Sequence, residues 1–383
     1  MATRGSLDLE RRRDLWYSMS THTISSIAEA WQLATAWREL AGPHPFRSPE
    51  WCLTWFEHYS KASELCIFVD YDDQGGLQGL APLVWQQTAV HGRLQFLANG
   101  QACTDYNAFF VKDDSPEVMR RLVQAIDNFI RRKVRYTSVR VELDGISADS
   151  GFEMQLLEQS KELHYSIRQQ PIEASYVLSL PLNFASLRSG FNRNLRRKFD
   201  RINHWFQTGE VQFHRTKNQT QLLQRMSDLV HLHQRRRKML GQAGVFATQQ
   251  FTDFLTDAAQ RLAGRNQAEI HWCEMRGRIV SAQLVLLHEQ TISTYINGMD
   301  PEFMAEEPGF SLVAGTAQNA IERGFRTYDF LRGEELYKRH WRAQLHPLNR
   351  LYLTPNCVVP LLYDSAYDLA RNVKHFAQNL WSR

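Results

Sequence analysis

The chain has 383 residues, 43% of them hydrophobic and 22% charged, with 45 basic against 41 acidic side chains and a formal net charge of +4. At roughly 100–200 residues per domain this length suits two domains. The composition is that of a globular protein, and so mild a charge makes no case for nucleic acid, so no DNA partner is expected. The five cysteines (Cys52, Cys66, Cys103, Cys273 and Cys357) are scattered and form no CxxC pair. That argues against a disulfide framework or a zinc site and for small buried thiols.

No apolar segment follows the Arg11-Arg12-Arg13 cluster, so residues 1–20 read as a mobile polar lead-in rather than a secretory signal. No stretch approaches the ~18 apolar residues of a membrane span. A cytoplasmic chain without a membrane span is expected. Ser48-Pro49-Glu50 opens a helix over about 48–60, with Ser48 as cap and Pro49 at the first helical position. Strands are expected at Leu65–Tyr71, Leu77–Gln86, Arg93–Ala98 and Tyr106–Val111, then a helix over 115–132 and a strand at Thr137–Leu143. Gln169-Gln170-Pro171 interrupts the pattern.

The same order then returns. Helices fit 219–240 and 248–262, and strands fit Ala268–Met275, Ile279–Leu287 and Thr291–Asn297. A helix covers 309–323, Thr327–Leu331 is the returning strand, and Asp364–Ser382 reads as a terminal helix. Hairpin-linked strands followed by a helical crossover imply an α/β fold of two mixed-sheet halves with flanking helices. The expected division is a lead-in at 1–20, a first half at 21–170, a second half at 171–360 and a terminal helix at 361–383.

Three segments carry candidate chemistry. At Glu307-Pro308-Gly309-Phe310-Ser311-Leu312 a helix begins just after a strand, and unpaired N–H groups at a helix start attract phosphate. Residues 308–312 are therefore the candidate donor-binding segment. In Tyr328–Trp341 a strand runs into a loop dense with acids, bases and aromatics. Proton removal and proton return both need such groups: Asp329, Glu334 and Glu335 are candidate bases, and Tyr337 or Lys338 could return a proton or hold an anion. In Arg193–Arg201, Leu195 and Phe199 begin a buried stripe that continues through Ile202 and Phe206, with a basic ridge of Arg193, Arg197 and Arg201 opposite. His231 and His233 lie two apart and face different ways on a helix, so they make no metal pair. No metal site is expected. No GxGxxG, P-loop or GxSxG pattern occurs, so redox and NTPase chemistry find no support.

Phe46-Arg47-Ser48-Pro49-Glu50-Trp51, Asn194-Leu195-Arg196-Arg197-Lys198, and above all Pro308-Gly309 followed by Asp329-Phe330-Leu331-Arg332-Gly333-Glu334-Glu335-Leu336-Tyr337-Lys338 resemble the CelD/BcsL-like group of GNAT-fold acyltransferases. These are relatives of the Fem-type peptidyltransferases. The resemblance spans about 46–341. It implies a tandem GNAT-like fold and acyl transfer, with acyl-CoA as co-substrate and an amine or hydroxyl of a small or envelope- and polysaccharide-related acceptor. It also implies peripheral association with envelope-synthesis machinery. Fem-type relatives use aminoacyl-tRNA instead. The stretch before residue 309 lacks the Gln/Arg-x-x-Gly-x-Gly/Ala loop of better-studied GNAT enzymes.

On this reading the thioester lies where the second sheet splays near Val285–Asn297, with Tyr295, Asn297 and Trp341 as substrate contacts. Glu334 or Asp329 acts as base, and Tyr337 protonates the leaving thiolate. Lys338, Arg193 and Arg197 hold anionic groups. The first half reads as a copy without catalysis, because Asp144-Gly145-Ile146 is followed by nothing like Gly333–Lys338. The alternatives are aminoacyl transfer from charged tRNA and a non-catalytic partner of a polysaccharide-synthesis complex.

Overall fold

The computed structural model describes residues 21–88, 91–134, 138–148, 150–333 and 335–355. The lead-in at 1–20, the terminal helix expected at Asp364–Ser382, Cys357 and the candidate base Glu334 lie outside the described residues. The first half runs β1 (Thr21–Ile24), α1 (Ile27–Gln32), α2 (Ala34–Ala41), α3 (Pro49–Tyr59), β2 (Ser63–Tyr71), β3 (Leu77–Gln87), β4 (His91–Phe96), β5 (Phe110–Val111), α4 (Pro116–Val134), β6 (Ser138–Ser147), α5 (Gly151–Glu162) and β7 (Tyr165–Pro171). The second runs β8 (Ser175–Ser179), α6 (Phe184–Ser189), α7 (Arg193–Thr208), β9 (Val211–Arg215), α8 (Gln219–Met239), α9 (Gln249–Ala263), β10 (Ala268–Met275), β11 (Arg278–His288) and β12 (Thr291–Met299). It closes with α10 (Pro308–Glu322), β13 (Thr327–Arg332), α11 (Leu336–His340), β14 (Gln344–His346) and β15 (Leu348–Pro355).

Local chemistry sets the helix limits. Ser48 Oγ accepts from Trp51 N at 3.2 Å to cap α3, with Pro49 behind it. Asn192 accepts from Leu195 N to cap α7, and Gly209, at φ 76°, ends it. Two mixed sheets result. The first has the order β1-β2-β3-β4-β6-β15-β7 with β5 beside β3, and the second the order β14-β8-β13-β12-β11-β10-β9. Each half contains one parallel pair, β4 with β6 and β12 with β13, reached through the crossover helices α4 and α10. The element order expected of a repeated α/β half is therefore present twice.

One core lies between the halves. Trp37, Trp51, Trp55, Ile67 and Val84 of the first half pack in one cluster with Leu229, Phe254, Leu255, Ile270 and Leu284 of the second. The outer face of the first sheet is covered by α4 and α5, and that of the second by α7, α10 and Trp341. A polar lock crosses the same boundary. Arg332 reaches Thr104 O at 2.7 Å and Asp144 at 3.3 Å, and pairs with Asp105, which also accepts from Arg332 N at 2.9 Å.

Three expectations change. The strand expected at Tyr106–Val111 shrinks to Phe110–Val111: Cys103 and Tyr106 adopt positive φ, which breaks an extended run. The contiguous division at 171 is crossed, because β15 leaves the second half and inserts between β6 and β7 of the first sheet. The expectation of buried thiols holds for Cys52, Cys66 and Cys273, whereas Cys103 is exposed. Among the described residues no helix is long and apolar enough to cross a membrane.

Candidate active site

The two parallel pairs differ in one respect that creates a cleft. β4 and β6 stay paired over five positions, from His91↔Ser138 to Gln95↔Glu142. β12 and β13 pair only at Thr291↔Thr327, Ile292↔Tyr328 and Ser293↔Asp329, and then part. Both strands have a local reason to diverge. On β12 the register with β11 slips between Leu284 and Val285, leaving Tyr295 as the extra residue of a bulge; a bulge bends and twists its strand. On β13, Leu331 adopts φ 55°, a conformation that costs a non-glycine residue of order 1–3 kcal/mol and persists only where its surroundings enforce it. Asp329 Oδ1 accepts from Leu331 N at 2.8 Å, and Asp105 holds the next residue.

Below the split lies a cavity of about 640 Å³, within the range of roughly 300–1,000 Å³ typical of small-molecule sites. Asn297 and Met299 of β12, Gln283 of β11, Pro308, Gly309, Phe310 and Leu312 of α10, Asn194 and Lys198 of α7, and Tyr337, His340 and Trp341 line it. Trp341 is 1% exposed and stacks on Phe310 with ring centroids 5.0 Å apart. Gln283 is fixed at the floor: its Nε2 donates to Thr316 Oγ1 at 2.7 Å, and Thr316 in turn meets His271 Nδ1 at 3.0 Å. Tyr337 has no hydrogen-bond partner for its hydroxyl among the described residues. Burial and the neighbouring Glu335 carboxylate raise its pKa above the usual phenol value, so the group is a proton donor at neutral pH.

The structure thus brings Pro308, Gly309, Phe310, Leu312, Asn297, Tyr337 and Trp341 to one cavity. Ser311 points away into the core, its Oγ directed at Glu307 O. Five other candidates are placed elsewhere. Asp329 is buried outside the cavity wall, accepting from Tyr106 Oη at 2.7 Å and from Ser175 Oγ and Leu331 N at 2.8 Å. Burial outweighs those three donors and pushes its pKa up to about 6. Tyr295 packs against Trp51 at the boundary of the halves and donates to Ala102 O at 2.7 Å. Lys338 is 2% exposed. Its ammonium donates to the carbonyls of Leu331, Arg332 and Gly333 at 3.0, 2.9 and 3.2 Å and pairs with Glu335, as a buried cation must be compensated. Arg193 and Arg197 are exposed on the far flank of α7.

The motif from Asp329 to Lys338 is accordingly a device that builds a turn. Asp329 fixes Leu331, and Gly333 sits at φ 126°, where a Cβ would lie 2.5 Å from Glu335 Oε2. Lys338 gathers three carbonyls, and Tyr337 is left facing the cavity. The sequence reading missed Lys198, Gln283, Met299 and Glu307. Lys198 carried a usable signal: Asn194, Lys198 and Arg201 follow i, i+4, i+7 spacing along the edge of the buried stripe. Glu307, at φ 54° and ψ 53° as the residue before α10, carried none. Among the described residues no three His, Cys, Asp or Glu side chains converge to hold a metal.

Residues 189–339 match the family model described as an acetyltransferase (GNAT) domain. Comparison with the curated proteins finds no sequence match. Among solved structures, the chain is similar to FemX at TM-score 0.60 and 12% identity, covering 86% of this chain and 96% of that one. It is also similar to the C-terminal domain of a putative lysylphosphatidylglycerol synthetase from Agrobacterium fabrum, at TM-score 0.54 and 12% identity, covering 88% and 95%. For L-PGS from Bacillus licheniformis the figures are 0.51, 12%, 84% and 90%. Likeness at this identity concerns the fold. With its split parallel pair inside the matched segment, the chain carries a GNAT-type acetyltransferase domain in its second half, on a mixed α/β fold of two sheets.

Proposed function

We propose that this protein transfers an acyl group from a thioester donor, acyl-CoA, to an amine or hydroxyl, with the donor arm lying in the split between β12 and β13. The observation that carries this reading is the parting of those strands after Ser293 and Asp329, above a cavity walled by Pro308, Gly309, Phe310 and Leu312. The cavity's residues fit such a donor. Phe310, Leu312, Met299 and Trp341 offer an apolar channel, and Lys198 and Arg236 stand at its lining as cations.

The acceptor nucleophile attacks the thioester carbonyl and the thiolate leaves. Tyr337, protonated at neutral pH and on the cavity wall, returns the proton to sulfur. Glu334, three positions before Tyr337 and outside the described residues, is the proposed base; Asp329 is assigned to positioning the turn, because its oxygens face Tyr106, Ser175 and Leu331. The acceptor class proposed from the resemblance of the 329–338 motif is a small or envelope- and polysaccharide-related amine or hydroxyl.

Titration calorimetry with CoA, acetyl-CoA and a long-chain acyl-CoA tests the donor. Micromolar binding that Phe310→Ala weakens supports the reading and ranks acyl length; no binding to any of the three rejects acyl-CoA. The exposed Arg193, Arg196 and Arg197 on the helix that borders the cavity favour one second reading, aminoacyl transfer from charged tRNA. That reading requires tRNA binding whose affinity falls steeply with salt.

A further inference from the structure

We infer that Glu307 is a resident anion on the cavity's donor-phosphate site: its carboxylate occupies Lys198 and Arg201, and a phosphate-bearing ligand binds by taking those two cations from it. The inference rests on the donor reading above and adds a competing group within the same site.

Four observations support it. First, Glu307 precedes α10 and makes no side-chain cap there. Its two carboxylate oxygens instead reach across to α7, one to Lys198 Nζ and one to Arg201. Second, the other acids of the segment already have partners of their own: Asp300 and Glu302 pair with Arg235 and Arg278, and Glu306 with Arg276. Glu307 is the one turned toward α7, and both it and Lys198 line the cavity.

Third, the backbone at this helix start has little to offer a phosphate. Pro308 has no N–H, and Phe310 N and Ser311 N already donate to Glu307 O at 3.0 and 3.1 Å. The glycine-rich loop that cradles phosphate through its backbone is also absent from the sequence, so cationic side chains must do that work. Fourth, the pairs are exchangeable. Lys198 and Arg201 are 46% and 45% exposed and Glu307 27%; ion pairs that open to water are individually weak. A diphosphate, with more charge and more acceptor oxygens, outcompetes a single carboxylate for a guanidinium and an ammonium. While Glu307 holds the cations, only the released fraction of molecules is competent to bind, which lowers the apparent affinity.

The test is titration calorimetry of inorganic pyrophosphate into the full chain, the Glu307→Gln variant and the Lys198→Met/Arg201→Met double variant, each first checked for an unchanged melting curve. Glu307→Gln should bind pyrophosphate roughly three- to tenfold tighter than the natural chain. The double variant should lose about tenfold or more. Glu306→Gln removes the same charge one residue away, beside Arg276, and should leave affinity unchanged. The inference is overturned if Glu307→Gln binds no tighter, if Glu306→Gln tightens binding equally, if the double variant binds as well as the natural chain, or if none of the proteins binds pyrophosphate at millimolar concentration. A parallel CoA titration separates the two readings. CoA binding that is indifferent to Glu307→Gln removes the resident anion alone. Pyrophosphate binding that tightens in Glu307→Gln, with CoA ignored throughout, removes the donor assignment alone.

Discussion

Replacing Asp329 by asparagine sets burial against hydrogen bonding in a single measurement. The carboxylate accepts three hydrogen bonds that favour its charged form, yet burial dominates and raises its pKa from 3.8 to about 6. An acid with a folded-state pKa above its unfolded value holds more protons when native. Its contribution to stability is therefore largest at low pH and is lost as pH rises through about 6. At about 1.4 kcal/mol per pKa unit, the ionised carboxylate costs the fold about 3 kcal/mol at pH 8. Asparagine removes that cost and keeps the bonds: Oδ1 still accepts from Ser175 Oγ and Leu331 N, while Nδ2 donates to Tyr106 Oη, whose own proton turns to Ser175 Oγ at 2.7 Å. Urea unfolding of both proteins between pH 4.5 and 8 reads the difference. The stability of Asp329→Asn relative to the natural chain should rise by about 2 kcal/mol over that interval, mostly below pH 6.5, and then level off. A constant difference, or one that falls with pH, would refute the reasoning, because the three donors would then hold the carboxylate ionised. Donor binding and turnover should survive the change within a few-fold; a hundredfold loss would return Asp329 to the role of base.

Arg332→Leu strips the cationic partner from the fully buried Asp105, while Asp144 keeps Arg350; a loss of about 3–5 kcal/mol in urea unfolding is expected, as for other broken buried ion pairs. Gly298→Ala places a Cβ 2.3 Å from His233 N of α8, and because backbone cannot swing aside the cost should be about 1–3 kcal/mol, read as a lowered melting temperature. Tyr337→Phe should reduce turnover by about a hundredfold or more while leaving the donor dissociation constant unchanged; a raised dissociation constant with normal turnover would make Tyr337 a binding residue only.

What could be read in the sequence was what repeats at short range. The alternation Ala282, Leu284, Leu286 fixed one face of β11, and these three residues are buried in the core between the halves, whereas Val280, at a bulge against β10, is buried in a separate cluster with Leu312. Ser48-Pro49 located the start of α3. What escaped depended on partners far along the chain. Tyr106 looks like a strand residue, but its hydroxyl meets Asp329, 223 positions away, and its backbone turns to allow it. On α7 the buried stripe was legible, whereas the cavity edge lies beside that stripe and not opposite it, so Lys198 was passed over for Arg193 and Arg197. Lys338 reads as an anion binder in any sequence; only its burial shows that three carbonyls claim it.

The place of β15 sets a limit on how this protein is made. The strand fills the gap between β6 and β7, pairing from Leu348 to Leu353 with one and from Asn349 to Pro355 with the other. A nascent chain that has emerged only to Pro171 holds β6 and β7 with nothing between them, so the first sheet stays open until residues nearly two hundred positions later leave the ribosome. Completion of the first sheet waits for this late strand, and a fragment ending before Leu348 exposes the unsatisfied edges of two strands, each a template for pairing with another chain.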